Sequence, residues 1–450
     1  MTEQSPLPAH ERRLPRYTSY PTAPHFHPGI SAEAYRRWLG AVPARTRVSL
    51  YLHVPFCAAM CWYCGCHTTV AKSYGPVAGY AALLAREIEL VASFLPARLP
   101  VSHIHWGGGT PNLLSGGDLC RLADVIDRHF DRSAETEMAV ELDPRTLDRD
   151  TVSAFAQIGV NRASLGVQDF DPRVQEAVNR EQSYAMTAEA VAMLRAKGIV
   201  HLNLDLMYGL PYQTAAGVVD TVEKAVALAP DRLALFGYAH VPWMKPHQRR
   251  IEEAALPDGK SRLAQYAAAS DAILAEGYRA IGIDHFAWRD DALAQAADTG
   301  RLHRNFQGYT TDDAPLLLAF GASAIGSLPQ GYVQNEAAVA AWRRSIADGR
   351  LATVRGIALD AEDRLRRAVI ERLMCDLTVD IAQECARHGA DPATLATPLA
   401  AVDKLATSGI GWHRGFRLGV DAKDRAFVRL VCACFDACLP DSTARHSHVV

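Results

Sequence analysis

Three closely spaced cysteines are the residues of this 450-residue sequence best suited to chemistry. Cys57, Cys61 and Cys64 follow the pattern C-x3-C-x2-C, and thiolates at that spacing can surround one small inorganic centre. Zinc and iron–sulfur clusters both take cysteine ligands, so the pattern alone leaves the centre open. A fourth cysteine, Cys66, follows two residues later. Cys66 either completes an all-cysteine set or leaves one metal position open for another ligand.

The composition is that of a globular protein, with 49% hydrophobic and 22% charged residues. The formal net charge of −3 gives no general attraction to nucleic acid or to an anionic membrane, and neither is expected as a partner. No apolar stretch has the length of a signal peptide or of a membrane span. Ten cysteines without a secretory signal predict reduced thiols and a cytoplasmic location.

Apolar segments alternate with helical patterns from residue 48 onward, which predicts an α/β fold with a parallel sheet. Six such units are fewer than the eight of a complete barrel, so we expect a partial (β/α)6 barrel with an open side. The predicted strands are 48–56, 101–107, 137–143, 162–168, 199–207 and 232–239. The predicted helices between them are 77–94, 115–130, 148–158, 183–197 and 214–229.

The sequence predicts that the chain is divided into three parts. Residues 1–47 form an N-terminal arm, residues 48–339 form the barrel with site-lining loops, and residues 340–450 form a smaller, mostly helical domain. In the arm, segment 15–23 carries two tyrosines and an arginine between prolines. It either packs on the barrel or covers the active site and excludes water. Beyond the sixth strand we predict one more strand at 279–287 and site-lining loops at 303–310 and 321–326.

The predicted strands end in chemically unusual residues, as expected where parallel barrels place their active sites. Three consecutive glycines, 107–109, follow the second strand, and such a run suits close approach of a ligand to the backbone. Glu141, Gln168 and Asp205 end later strands. Each alone could cap a turn, but all three facing one cavity favour ligand binding. Arg180 could form a surface ion pair or bind a carboxylate.

A second cysteine group lies near the carboxyl end of the chain. Cys432, Cys434 and Cys438 could hold another cluster, but Cys432 and Cys434 project from different sides of a helix. We therefore predict buried thiols in a terminal helix, and isolated core thiols at Cys120, Cys375 and Cys385.

With Tyr63 before its third cysteine, the cysteine motif resembles the radical S-adenosylmethionine (SAM) superfamily. From about residue 15 to about residue 435 the chain further resembles the oxygen-independent coproporphyrinogen III oxidases of that superfamily. The resemblance rests on long motifs that occur in order. They are Pro15–Ala23, His53–Cys57, Cys64–Cys66, His105–Pro111, Gly166–Phe170, Asn179–Gln182, Asp284–Ala287 and His303–Thr310.

The resemblance implies a role for each site residue. Cys57, Cys61 and Cys64 are implied ligands of a 4Fe–4S cluster, whereas Cys66 and His53 are implied catalytic residues that hold no iron. The implied contacts of the SAM on the cluster are Tyr51, Tyr63, Gly108, Glu141 and Ile325. The implied contacts of a second SAM molecule are Gly109, Thr110, Gln168, Arg180, Asp205 and Ala239.

The implied reaction converts two propionates of coproporphyrinogen III to vinyl groups and gives protoporphyrinogen IX. The reduced cluster cleaves SAM, the resulting radical takes a hydrogen atom from a propionate, and carbon dioxide and one electron leave. A reducing donor such as a flavodoxin or ferredoxin is the implied partner, and a monomer is expected. Because a buried unpaired carboxylate is costly, Arg16, His285 and Arg304 are candidates to hold the propionates, although each could form a structural pair.

Three alternatives belong to other functional classes. A haem-binding chaperone of the same superfamily typically has phenylalanine at the position of Cys66 and lacks the arm. A two-SAM radical methyltransferase is disfavoured by the arm and by the tail from residue 340. A structural zinc protein would contain no inorganic sulfide.

Overall fold

The computed structural model describes residues 12–439, so the rest of the predicted arm and C-terminal domain lies outside the described residues. The helices are α1 (Ala32–Gly40), α2 (Gly75–Ala92), α3 (Gly116–His129), α4 (Arg149–Ile158), α5 (Pro172–Ala177), α6 (Tyr184–Ala196), α7 (Ala215–Val226), α8 (Gly259–Ala275), α9 (Ala292–Asp298), α10 (Val339–Ala347), α11 (Ala361–Asp376), α12 (Ile381–His388), α13 (Ala396–Thr407) and α14 (Val428–Cys434). The strands are β1 (Val48–Val54), β2 (Phe56–Cys57), β3 (Thr69–Val70), β4 (Pro100–Gly108), β5 (Asp131–Leu142), β6 (Arg162–Gln168), β7 (His201–Tyr208), β8 (Arg232–Gly237), β9 (Arg279–Ile281), β10 (His285–Ala287), β11 (His303–Asn305), β12 (Gly308–Thr310), β13 (Leu316–Phe320), β14 (Ile325–Leu328), β15 (Gly331–Asn335), β16 (Thr353–Ala358), β17 (Thr378–Asp380), β18 (Trp412–Arg414) and β19 (Arg417–Gly419). None of the described helices is long and apolar enough to cross a membrane.

The central sheet has twelve strands in the order β16-β15-β14-β13-β1-β4-β5-β6-β7-β8-β10-β9. Its six predicted parallel strands, β1 and β4 to β8, are all present and run parallel to their neighbours. Within residues 12–439 the terminal strands β16 and β9 do not pair with each other, so the sheet stays open. The predicted partial barrel is confirmed.

Three local predictions after the sixth strand are wrong. β13 is an additional parallel strand on the other side of β1, where the sequence predicts none. Residues 303–310 form a hairpin of β11 and β12 instead of a loop, and 279–287 form a hairpin of β9 and β10 instead of one strand. The predicted loop at 321–326 is a turn that leads directly into β14.

Side chains on the parallel strands alternate between the helix layer and the barrel interior. On β7, Leu202, Leu204 and Leu206 are buried in the core, whereas Asn203 and Asp205 line an interior cavity. This period of two is the one expected for strands, and it leaves polar side chains facing the interior. The interior can therefore bind a polar ligand while the outer face packs against helices.

Helix caps fix the loops that follow the strands. The side chains of Ser115, Asp148, Ser183 and Thr214 each accept a hydrogen bond from a backbone N–H in the first turn of α3, α4, α6 and α7. Each cap satisfies a donor that would otherwise lack a helical partner. Because these helices begin at the carboxyl ends of the strands, the caps also hold the site-lining loops in place.

The arm packs on the C-terminal part of the chain. Tyr17 and Tyr20 are buried among residues of α11 to α14, and the Tyr17 hydroxyl donates to Asp436 at 3.1 Å. Just before these tyrosines, Arg16 reaches the barrel and donates to the Gly237 carbonyl at 2.8 Å. The arm is thus anchored by its tyrosines and presents Arg16 to the site, whereas the exclusion of water by the arm stays a prediction.

Strands also occur in the segment predicted to be mostly helical. β16 pairs with β15 and extends the central sheet, and β17, β19 and β18 form a separate three-stranded sheet beside α11 to α14. The domain boundary after residue 339 stays a prediction. Cys432 is buried on α14, Cys434 is half-buried there, and Cys438 lies beyond the end of that helix. Cys375 and Cys385 are buried, whereas Cys120 is half-buried.

A buried carboxyl group on α2 holds the turn between β13 and β14. Glu87 accepts hydrogen bonds from the Gly321 backbone N–H at 2.6 Å and from the Asn335 side chain at 2.8 Å. Burial raises the pKa of Glu87 to about 7. Since the folded pKa lies above the unfolded one, the stabilisation by this group is complete in acid and decreases as the pH rises through 7.

Replacing Glu87 by glutamine should therefore reduce the loss of folding stability that occurs as the pH rises from 5 to 8. We expect the unfolding free energy of Glu87→Gln, relative to wild type, to rise by about 2 kcal/mol between pH 5 and pH 8. Chemical denaturation at both pH values measures the difference. Glu89→Gln, on the exposed side of the same helix, is the control. Equal pH dependence of wild type and Glu87→Gln would contradict the assignment.

Candidate active site

A cavity of about 580 Å³ lies at the carboxyl ends of β4 to β8 and contains the cysteine loop. Most sequence-predicted site residues line it: Cys57, Cys61, Tyr63, Cys64, Cys66, Gly108, Gly109, Thr110, Glu141, Gln168, Arg180, Asp205 and Ala239. A second cavity of about 310 Å³ lies deeper in the barrel, and Cys66, Glu141 and Asp205 border both. The fold thus gathers residues that are far apart in sequence at one end of the barrel.

The cysteine loop is held from its outer side by the segment 245–248. Lys245, His247 and Gln248 donate side-chain hydrogen bonds to three carbonyls of the loop backbone. The accepting carbonyls are those of Cys66 at 2.9 Å, Cys64 at 2.7 Å and Tyr63 at 2.9 Å. These bonds fix the backbone and leave the cysteine side chains directed to the cavity.

Two of the three cysteine sulfurs have hydroxyl or amide neighbours. The hydroxyls of Thr68 and Thr110 lie 3.1 and 3.4 Å from Cys57 Sγ. Burial raises the pKa of Cys57, and the two hydroxyls act against that rise. The Cys66 backbone N–H donates to Cys64 Sγ at 3.4 Å, and hydrogen bonding from Cys66 lowers the pKa of Cys64 to about 7. Both sulfurs are therefore placed to act as thiolate ligands.

The third sulfur lies beside two arginines. Arg145 Nη2 is 3.3 Å and Arg180 Nη1 is 3.5 Å from Cys61 Sγ. Arg145 also pairs with Asp143 at 2.6 Å, and Arg180 lies 3.5 Å from the same carboxylate. Burial would raise the pKa of Asp143, but the two guanidinium groups outweigh it and lower the pKa. Two cations and one carboxylate leave a net positive charge beside Cys61.

The donor set fits an iron–sulfur cluster. Three thiolates line one wall of a cavity, each with a hydrogen-bond donor, and such donors are typical of cluster-binding cysteines. In residues 12–439 no three histidine, cysteine or acidic side chains converge tightly enough to ligate a single metal ion.

The glycine run gives the cavity a wall made of backbone. A Cβ atom on Gly107 would lie 2.8 Å from the Glu141 carboxylate, and one on Gly108 would lie 2.7 Å from the His53 ring. On Gly109 it would lie 2.6 Å from the Phe56 carbonyl oxygen. Gly108 also has φ of +113°, which side chains rarely adopt. No larger residue fits here, because neighbouring protein atoms pack directly against this backbone.

Glu141 presents a carboxylate beside that wall. It accepts hydrogen bonds from the Gly108 N–H and from His105 Nε2, both at 3.0 Å. Burial would raise the pKa of Glu141, but His105 and the Gly108 N–H outweigh it and lower the pKa. The group is therefore ionised at neutral pH and can bind a cationic ligand.

Tyr51 and His53 lie behind the glycine wall and do not line the cavity. The Tyr51 hydroxyl is 3.0 Å from His53 Nδ1, and His53 Nε2 donates to the His67 carbonyl at 2.9 Å. Burial lowers the pKa of His53, so the ring is neutral with both nitrogens engaged. His53 thereby ties β1 to the residue after Cys66, and its catalytic role stays a prediction.

Three further polar residues of the predicted site lie together in the cavity wall. Gln168 has φ of +71°, a strained conformation often found at functional sites. Arg180 donates to the Gly166 carbonyl at 2.6 Å. Asp205 accepts hydrogen bonds from Ser164 at 3.0 Å and Asn203 at 2.7 Å, while burial raises its pKa to about 6. Their roles as SAM contacts stay predictions.

Two predicted cofactor contacts differ in position. Ala239 lines the cavity, and its carbonyl accepts a hydrogen bond from Gln248 at 3.2 Å. Ile325 does not line the cavity but packs against a cluster that contains Phe26 and Tyr332. The structure thus places Ala239 at the site and gives no such contact for Ile325.

Several functional positions escape prediction from sequence. Arg145, Lys245, His247 and Gln248 contact the cysteine loop, yet they belong to no motif and are distant along the chain. The Asp-Pro-Arg sequence at 143–145 could have indicated Arg145. An arginine two residues after a strand-end aspartate is well placed to form an ion pair with it.

Comparisons with known proteins point to one family. The radical SAM superfamily model matches residues 51–225. The chain is 51% identical over 440 residues to a Bradyrhizobium diazoefficiens protein named oxygen-independent coproporphyrinogen III oxidase, covering 98% of both chains. It is 39% identical to the protein of that name from Pseudomonas aeruginosa, covering 97% of this chain and 96% of the other. It also resembles the solved coproporphyrinogen III oxidase of Escherichia coli, with TM-score 0.89, 37% identity, and coverage of 94% of this chain and 97% of that one.

Arg145 should tune the reduction potential of a centre bound by Cys61. We expect Arg145→Met to shift the midpoint potential to more negative values, because a hydrogen bond and a positive charge are lost beside one thiolate. Electron paramagnetic resonance during a redox titration of the reconstituted protein measures the shift. Arg149→Met, an exposed change on α4, is the matched control. An unchanged potential in Arg145→Met would refute the role.

Proposed function

The chain belongs to the oxygen-independent coproporphyrinogen III oxidases of the radical SAM superfamily, and we propose how its residues carry out their reaction. It is an oxidoreductase of porphyrin and haem biosynthesis that converts two propionates of coproporphyrinogen III to vinyl groups, giving protoporphyrinogen IX. Its cofactors are a 4Fe–4S cluster and SAM. The observation that carries the proposal is the cavity in which three cysteines, the glycine wall and Glu141 meet.

Cys57, Cys61 and Cys64 hold the cluster, and the glycine wall with Glu141 binds the SAM beside it. When bound, the reduced cluster and SAM together supply the hydrogen-atom abstraction that starts each decarboxylation. The ionised Glu141 carboxylate matches the ammonium group of SAM, and Gly108 lies beside it in the cavity wall. Tyr63 completes this wall from the cysteine loop.

A second SAM molecule binds further along the same wall. Gly109, Thr110, Gln168, Arg180, Asp205 and Ala239 are its proposed contacts. Supporting this, all six line the cavity and include both charged and neutral polar groups. Asp205 is held by Ser164 and Asn203, so its carboxylate is oriented before any ligand arrives.

The propionates of the substrate are held by arginines that border the cavity. Arg16 lines the main cavity and also a narrow compartment beside it, which Arg304 and Asp284 line as well. Burial would raise the pKa of Asp284, but His285, Arg304 and Arg16 lower it to about 2. His285 is 2.5 Å from Asp284 and so positions that carboxylate rather than the substrate.

Arg304 is the strongest candidate of the three. Its side chain is only 6% exposed, and its distance to Asp284 is 3.9 Å, long for a hydrogen-bonded ion pair. Its Nε and Nη1 atoms are buried without a hydrogen-bond partner among the described residues. Since unsatisfied buried donors are costly, a substrate carboxylate that accepts from them would stabilise the complex.

Other properties of the protein follow from this chemistry as part of the proposal. Cleavage of SAM consumes an electron, so a low-potential flavodoxin or ferredoxin serves as the donor. The reduced cluster and its donor fit a cytoplasmic location. The protein is proposed to act as a monomer, because all of the proposed cluster ligands come from one chain. We also propose that the chain is divided into three parts, with boundaries after residues 47 and 339.

An anaerobic assay with coproporphyrinogen III, SAM and a chemical reductant tests the function. We expect divinyl product together with 5′-deoxyadenosine. Haem binding without product would favour a chaperone, and S-adenosylhomocysteine with a methylated product would favour a methyltransferase. Absence of the vinyl product from protein with a full iron and sulfide content would reject the proposed function.

Arg304→Leu should weaken substrate binding without loss of the cluster. We expect KM for coproporphyrinogen III to rise at least about 10-fold, because hydrogen bonds to charged groups contribute roughly 1.5–3 kcal/mol. Arg304→Lys should recover part of the loss, and Arg301→Leu, an exposed change nearby, should behave as wild type. Iron content is measured on each variant. An unchanged KM in Arg304→Leu would exclude the residue from the substrate site.

A further inference from the structure

An exposed basic surface adjoins the outer side of the cysteine loop. Arg249 and Arg250 are exposed there, and the preceding Met244 is 60% exposed. Arg13 of the arm places another exposed guanidinium over the Trp243 ring, 5.6 Å from its centre. We call residues 13, 244, 249 and 250 the basic patch. An exposed apolar side chain among cations is typical of a surface that binds another protein.

The basic patch is connected directly to the cysteine loop. Arg250 lies over the ring of Trp62, inside the loop, at 5.9 Å. His247, in the same segment, donates to the Cys64 carbonyl at 2.7 Å. The path from the patch to the proposed cluster ligand Cys64 therefore passes through only a few bonded groups. Because the cavity lies on the inner side of the loop, a protein on the patch would not block the substrate.

The positive charge of the patch contrasts with the net charge of the whole chain, which is −3. Two carboxylates follow in sequence and keep their negative charge, but the three arginines of the patch outnumber them. Glu252 accepts a hydrogen bond from the Tyr212 hydroxyl at 2.6 Å, and Glu253 lies 3.1 Å from His240. The patch therefore favours an acidic partner, which it would steer into contact.

We infer that the basic patch is the docking site of the electron donor, a small acidic one-electron carrier protein with an exposed cofactor edge. This inference rests on the proposed function. In each transfer the reduced carrier loses one electron and the cluster held by Cys57, Cys61 and Cys64 gains it, with no bond made or broken. The carrier binds the outer side of the loop while SAM and substrate occupy the inner side.

Charge reversal of the patch tests the docking site. The double variant Arg13→Glu/Arg249→Glu is compared with wild type and with Arg128→Glu. Arg128 is an exposed arginine at the carboxyl end of α3, on the opposite face of the barrel. Reconstituted proteins are titrated with a flavodoxin and with a plant-type ferredoxin at low and high salt. Turnover is then measured with each reduced carrier and, in parallel, with dithionite.

We expect the double variant to bind at least one carrier about 10-fold more weakly at low salt, with the difference shrinking at high salt. Carrier-driven turnover should fall with it, while dithionite-driven turnover and iron content stay at the wild-type level. Arg128→Glu should match wild type in every measurement. If the double variant loses iron, Met244→Asp supplies the same comparison with one exposed side chain.

Equal carrier affinity of wild type and patch variants would overturn the inference. The binding measurement also distinguishes a failure of the docking inference from a failure of the proposed function. Loss of dithionite-driven vinyl formation in wild type would reject the function, whereas the docking site is decided by the affinities alone.

Discussion

The structure depends on how three cysteine sulfurs of one loop are kept in place in the cavity wall. The loop backbone is bonded from outside by Lys245, His247 and Gln248, and each sulfur has a donor on its inner side. The N–H of Cys66 donates to Cys64 Sγ, and the Cys66 thiol also lies within hydrogen-bond reach of that sulfur. On the proposed assignment of three sulfurs to the cluster, one iron is available for SAM.

Charge around this loop is balanced by residues from other strands. Arg145 and Arg180 place two guanidinium groups between Cys61 and the single carboxylate of Asp143. Buried charges are tolerated only when they are paired, and here the surplus positive charge faces a thiolate. The same elements therefore stabilise the fold and prepare a site for an anionic cluster. The arm adds a further cation, Arg16, on the substrate side.

Local sequence patterns were sufficient for the barrel and for most of the cavity wall. The parallel strands carry a period of two, and their ends bear Gly108, Glu141, Gln168 and Asp205, so topology alone brings these residues together. β13 was missed because it pairs with β1, far earlier in the chain, and no helix follows it. The contacts of residues 245–248 depend on tertiary packing that no local pattern encodes.

The central claim is that one iron of the cluster has no protein ligand and is the position where SAM binds. Mössbauer spectroscopy of anaerobically reconstituted wild type and Cys66→Ser, each with and without SAM, tests it most directly. The account predicts four irons per protein in both, and a change at one iron only when SAM is added. Loss of the cluster in Cys66→Ser, or four irons that do not respond to SAM, would contradict it.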